Sequence, residues 1–123
     1  MNYDRLIIEL FLTDVEPMAR FFEQGLGFTR GYSLSEADGL DFLVVKHGEK
    51  TAVYLHRMLR TPQQSKLEKT IRIYLEPDDL PSLRAHLQQL GYNPSPIEDC
   101  GYGADVFAVT GPDQYEFRFQ KWR

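Results

Sequence analysis

The residues in this sequence best suited to chemistry are charged side chains set inside strand-like runs. Arg72 falls in Thr70-Ile71-Arg72-Ile73-Tyr74-Leu75, and Glu116 and Arg118 fall in Tyr115-Glu116-Phe117-Arg118-Phe119-Gln120. Side chains alternate along a strand, so Ile71, Ile73 and Leu75 share one face with a core and Thr70, Arg72 and Tyr74 share the other. Phe117 and Phe119 alternate in the same way with Glu116, Arg118 and Gln120. The runs near the start of the chain are expected to add Ile7, Glu9 and Phe11, and Val53, Leu55 and Arg57, to a polar and aromatic surface of this kind. Guanidinium forks match planar oxyanions, so Arg72 and Arg118 suit a carboxylate or phosphate. The competing use is an internal network with Glu9 and Glu116, which a ligand could open. Phe11, Tyr54, Tyr74, Tyr102 and Trp122 offer rings for stacking, with ordinary packing as the plainer alternative. Tyr102 sits between Gly101 and Gly103, a loop able to move over a cavity.

Other chemistry-bearing residues are less telling. His47 precedes a turn glycine and His86 lies on a helical segment between Leu83 and Leu87, both consistent with surface positions, which leaves His56 as the one candidate catalytic imidazole. Cys100 is the only cysteine. It has no partner for an intrachain disulfide, and no histidine beside it in sequence would generate a thiolate. Glu76-Pro77-Asp78-Asp79 reads as a capped helix start rather than a calcium loop, which needs more oxygen ligands.

The elements that position these residues are written twice. Asp14, Pro17, Arg20, Gln24, Leu26, Gly27 and Phe28 recur as Asp78, Pro81, Arg84, Gln88, Leu90, Gly91 and Tyr92, always 64 residues later. A fixed offset of this kind marks two copies of one supersecondary unit. In the first copy a strand over 6–12 leads to a cap at Thr13/Asp14 and a helix to about Leu26, with Val15, Met18, Phe21, Phe22 and Leu26 on one face. Strands are expected over 29–34, 41–47 and 51–57. The second copy repeats the order: a strand over 70–75, a cap at Asp78/Asp79, a helix over 80–90, then strands near 94–98, 106–110 and 115–120. Each half reads βαβββ, module 1 being 1–57 and module 2 being 70–123, with the polar stretch 58–69 as linker inside one domain, 1–123.

Composition narrows the function. A chain of 123 residues with 42% apolar and 13% aromatic residues can fill a packed core. Its net charge of -4 is interspersed, without the basic stripe that a nucleic-acid surface requires. No run approaches the roughly 20 apolar residues of a membrane span, and no signal-peptide pattern opens the sequence. The expectation is a cytoplasmic protein with a small-molecule partner and neither nucleic-acid nor membrane partners.

Ile8-Glu9-Leu10-Phe11-Leu12-Thr13-Asp14, the helix ending Leu26-Gly27-Phe28, the helix start Asp78-Asp79-Leu80 and the turn Gly111-Pro112-Asp113-Gln114-Tyr115 resemble the glyoxalase, bleomycin-resistance and extradiol-dioxygenase superfamily, the vicinal oxygen chelate fold. The family's last turn is usually Asp-Pro-Asp-Gly, so Gly111 and Gln114 depart from it. The resemblance covers nearly the whole chain and implies an α+β fold, two βαβββ modules forming a U-shaped, cupped mixed sheet with helices on the outer face. Metal-using members carry one ligand on each of four strands, generally His or Glu. Carried across, those positions fall on Ile7, Leu55, Arg72 and Arg118, none of which is a competent divalent-metal ligand. The same match points His56 away from the cup.

The resemblance thus implies a metal-independent glyoxalase/bleomycin-resistance-like protein, with no cofactor, that binds a small organic ligand through Glu9, Phe11, Leu55, Arg57, Arg72, Tyr74, Tyr102, Glu116 and Arg118. The alternative is a glyoxalase-like lyase or isomerase, or a dioxygenase-related enzyme. There the candidate catalytic residues are Glu116 as base and Arg118 as oxyanion stabiliser. A third possibility is a regulatory module whose cup binds a peptide or effector. Homodimerisation is implied by the resemblance alone.

Overall fold

A computed structural model describes residues 1–58 and 71–123. The chain divides into two compact units, Met1–Pro62 and Gln63–Arg123. Most of the expected linker, and Thr70 at the start of the expected fifth strand, lie outside the described residues.

The first unit runs β1 (Ile7–Leu12), α1 (Val15–Arg20), β2 (Thr29–Glu36), β3 (Gly39–His47) and β4 (Thr51–Arg57). Its four-stranded sheet has the order β1-β4-β3-β2. The second unit runs β5 (Arg72–Leu75), α2 (Leu80–Gln89), β6 (Glu98–Asp99), β7 (Ala104–Thr110) and β8 (Glu116–Trp122), in the sheet order β5-β8-β7-β6. In each unit the first and last strands pair in parallel and the other pairings are antiparallel. The protein is therefore α+β and is built from two βαβββ modules.

One face of each sheet is covered by apolar packing. In the first unit Leu10, Leu12, Leu43, Val45, Val53 and Leu55 are buried together with Val15, Met18, Ala19, Phe21 and Phe22 of the helix. The second unit buries Ile73, Phe107, Val109, Phe117 and Phe119, with Leu80 and Leu87 from α2. The Phe107 and Phe119 rings stack with centroids 5.0 Å apart. Gly111 backs onto this core. A methyl group there would meet the Phe117 ring at 2.8 Å, so a side chain at this position would displace the ring.

The two helices begin alike and end differently. Asp14 accepts a hydrogen bond from Glu16 N at 3.2 Å, and Asp79 one from Ser82 N at 3.0 Å, satisfying backbone donors left open at a helix start. The second cap is thus Asp79, one residue beyond the repeat partner of Asp14. The first helix compensates. Beyond Arg20 it widens into a π turn over Phe21–Gly25, with the Leu26 N–H reaching Phe21 O, instead of continuing as α-helix to Leu26. The spare residue held in that turn brings Gly27 and Gly91 back to an offset of 64, each at positive φ (78° and 94°) where a side chain would crowd the backbone.

The expected strand over 94–98 shrinks to Glu98–Asp99. Pro94 and Pro96 have no N–H, so only Ser95 between them can pair. Ser95 donates its N–H to Ala108 O at 2.9 Å, and its hydroxyl accepts from Ala108 N at 2.8 Å. Arg84 on α2 closes the same segment by donating to Ser95 O at 2.7 Å and Pro94 O at 3.2 Å. No described helix is long and apolar enough to cross a membrane.

Candidate functional site

Strand alternation leaves one face of each sheet without a helix of its own unit, and both faces carry the chemistry. On the second sheet, register places Arg72 beside Glu116 and Tyr74 beside Arg118. Gln120 and Trp122 follow on the same face of β8. Glu116 sits between the two arginines. One carboxylate oxygen contacts Arg72 Nε, and the other lies 3.5 Å from Arg118 Nη2. The internal network weighed against an anion clamp therefore exists through Glu116, while Glu9 belongs to the other unit's own pairing.

That network leaves polar atoms unused. Arg118 Nε and Gln120 Oε1 are buried and have no hydrogen-bond partner among the described residues. The other end of the Gln120 amide is held, since its Nε2 donates to Glu76 Oε1 at 3.1 Å, an oxygen that also accepts from Trp122 Nε1 at 2.8 Å. Leaving a buried donor open costs about 1–3 kcal/mol, so the arrangement favours whatever supplies the missing partner.

Aromatic rings border these groups. Tyr74, Tyr102 and Trp122 are all about half exposed, and the Tyr102 and Trp122 rings tilt together at 5.4 Å. The loop carrying Tyr102 is tied down. Asp99 accepts from Gly101 N at 2.8 Å, Cys100 N donates to Ala104 O at 3.0 Å, and Arg123 N donates to Gly103 O at 2.9 Å. Arg123 also pairs with Asp99 and Asp105. A hydrogen bond between Tyr102 and Cys100, with burial adding, raises the Tyr102 hydroxyl above its ordinary value, so it stays protonated.

On the first sheet the same logic sets two expected site residues off the open face and places His56 on it. Register sets Glu9 beside Tyr54, Phe11 beside His56 and Phe42 beside His56, which places Glu9, Phe11, Phe42, Tyr54 and His56 on one open face. Leu55 is fully buried on the opposite, helix-covered face and is out of reach of a ligand on the open one. Arg57 follows the parity of Leu55. It pairs with Asp38 at 2.9 Å and approaches Asp41 at 3.8 Å at the end of the sheet. His56, expected to point away, faces the same way as Glu9, and its Nδ1 lies 3.0 Å from Glu9 Oε1. Val53 and Leu55 alternating with Tyr54 and His56 carried this signal in the sequence. The parity that the family's ligand positions imply is off by one residue on this strand.

The four positions that the resemblance assigned to metal ligands do not fit a divalent ion as carried across, and the open-face neighbour of buried Leu55, His56, has Glu9 as its described partner. Arg72 and Arg118 only donate, Ile7 has no donor atom, and Leu55 lies in the core. Among the described residues no group of three or more His, Cys, Asp or Glu is arranged to hold a metal.

No family model matches the sequence, and no curated protein matches it. Solved structures do. An antibiotic binding protein from Streptomyces sp. CB03234 is 18% identical with a TM-score of 0.74, covering 100% of this chain and 97% of that one. The bleomycin-binding protein of bleomycin-producing Streptomyces verticillus, solved with copper(II)-bleomycin, is 17% identical with a TM-score of 0.72, covering 100% and 99%. A glyoxalase-related enzyme from Clostridium phytofermentans is 15% identical with a TM-score of 0.75, covering 100% and 98%. At these identities the likeness establishes the fold, which is that of the glyoxalase/bleomycin resistance proteins.

Proposed function

We propose that this chain is a small-molecule-binding protein that holds an organic ligand non-covalently, and without a metal, on the open face of the second sheet. The observation that carries this is the unsatisfied guanidinium nitrogen of Arg118, set beside a carboxylate shared by two arginines and bordered by Tyr74, Tyr102 and Trp122. An anionic or zwitterionic aromatic compound matches it. Its acid group would compete with Glu116 for Arg72 and Arg118, and its ring would lie against the tyrosine and tryptophan faces. Binding by proteins of the same fold, of an antibiotic in one case and of bleomycin in another, supports the class of activity.

Geometry disfavours the enzymatic alternative with Glu116 as base, because both of its oxygens already face guanidinium groups rather than a substrate proton. The proposal keeps the sequence-based expectation of a cytoplasmic protein and extends to a homodimer, supported by the resemblance read in the sequence. Sedimentation would test it against the 14.3 kDa chain mass.

The experiment is fluorescence titration with 2-naphthoate and, as a charge control, 2-naphthylmethylammonium. The expected result is preferential binding of the anion and at least about a tenfold loss of affinity in Arg118→Ala, equivalent to about 1.4 kcal/mol, with cooperative unfolding retained. Equal affinity in Arg118→Ala and wild type would remove the second-sheet site.

A further inference from the structure

Given the second-sheet site proposed above, on which this rests, we infer that its ligand carries a hydrogen-bond donor on the carbon beside the acid group, as an aromatic 2-hydroxy or 2-amino acid does, and that Gln120 selects for that donor. The Gln120 amide has one orientation. A carboxylate only accepts hydrogen bonds, so the end of the amide 3.1 Å from Glu76 Oε1 must be its NH2 group. Trp122 Nε1 donates to the same oxygen at 2.8 Å, which fixes the carboxylate as well. With its nitrogen end committed, Gln120 keeps its carbonyl oxygen for another partner, and no described residue supplies one.

Gln120 and Arg118 stand two residues apart on one face of β8, and their open atoms are of opposite kind: Arg118 Nε donates and Gln120 Oε1 accepts. A simple carboxylate satisfies only the first. A ligand with an acceptor and a donor on adjoining carbons satisfies both, since two residues along a strand span about 7 Å and each hydrogen bond covers about 2.9 Å of that distance. Both open atoms are covered by neighbouring side chains, so the ligand takes the place of one of them. Glu116 is the one it replaces, because its contact with Arg118 Nη2 is long, at 3.5 Å, while its other oxygen remains with Arg72. Trp122, next on the same face and about half exposed, then meets the ring. An open buried acceptor is unfavourable in the free protein, so a ligand that donates to Gln120 gains more than it would from an exposed carbonyl.

Fluorescence titrations with three probes test this: 3-(2-naphthyl)propanoate, which lacks the donor, and 3-(2-naphthyl)lactate and 3-(2-naphthyl)alanine, which carry it as a hydroxyl and as an ammonium. The wild-type protein should bind at least one donor-bearing probe about fivefold or more tightly than the propanoate, the gain expected of one satisfied hydrogen bond. The tighter of the two identifies the donor. Gln120→Met should abolish the preference. Glu76→Ala, which frees the amide to turn, should reduce the preference although the acceptor is still present. Equal affinities for all three probes in wild type, a preference that survives Gln120→Met, or one unchanged in Glu76→Ala would overturn the inference and leave the site standing. Propanoate binding that is unaffected by Arg118→Ala, or no binding of any probe, would instead remove the site and the inference with it.

Discussion

At the residue scale, pairings rather than single side chains decide what each charged group does. Arg30 on β2 grips Glu16 with two hydrogen bonds, at 2.7 and 3.1 Å, and reaches Glu23 at 3.3 Å, tying the strand to both ends of the first helix. The hydrogen bond from Arg30 holds the Glu16 carboxyl below its ordinary value. A carboxyl lowered in the folded state stabilises the fold above its unfolded value, about 4.3, and loses that contribution as pH falls through the folded one. Arg30→Ala should therefore lower stability by no more than about 1 kcal/mol at neutral pH, since the pair is partly exposed. The deficit should shrink in urea unfolding as pH falls below about 4.3. The candidate site was partly legible at this scale. The alternation around Arg72, Glu116 and Arg118 was readable, whereas the Glu9 and His56 pair depended on which residue of β4 faces β1. Sequence leaves that open by one position, and a one-position error turns every side chain over.

At the scale of elements, the second helix is held to its sheet by a side chain that supplies what two prolines withhold. Arg84 donates to two carbonyls of the segment 94–95, where the backbone itself makes little ladder. Its guanidinium is part-buried, and its removal leaves those carbonyls without a charged donor. Arg84→Ala should cost about 1.5–3 kcal/mol in chemical unfolding. Arg84→Lys should recover only part of the loss, because an ammonium cannot span both acceptors as a fork does. The repeat identified Arg84 as a position matched to Arg20, but only coordinates show the bond, since Ser95 is eleven residues distant along the chain. The boundaries of β6 escaped for a related reason. Extended chain between prolines looks like strand in composition, and hydrogen bonding decides otherwise.

At the scale of the whole molecule, two mixed sheets of the same topology follow from two copies of one sequence pattern, so the architecture was the most legible property of all. Ligand chemistry was the least legible, because a shared fold fixes where a face lies and not what stands on it. The donor sets on both faces predict indifference to transition metals. Metal-stripped protein should show no change in melting temperature with excess Zn, Ni, Mn or Fe(II). A saturated site, by contrast, would add about 2.7 kcal/mol at a hundredfold excess over its dissociation constant. A shift with one metal would return the enzymatic alternative to first place.

The π turn in the first helix has a consequence for comparing the halves, because it acts as a vernier between them. Ahead of the turn, equivalent positions stand 65 residues apart, as the two caps do, and past it they stand 64 apart. An alignment that holds the single offset of the shared helix residues would match Glu9 with the buried Ile73, whereas the strands match it with Tyr74 on the open face. One codon's worth of length thus separates a comparison that pairs two open faces from one that lays an open face over a core.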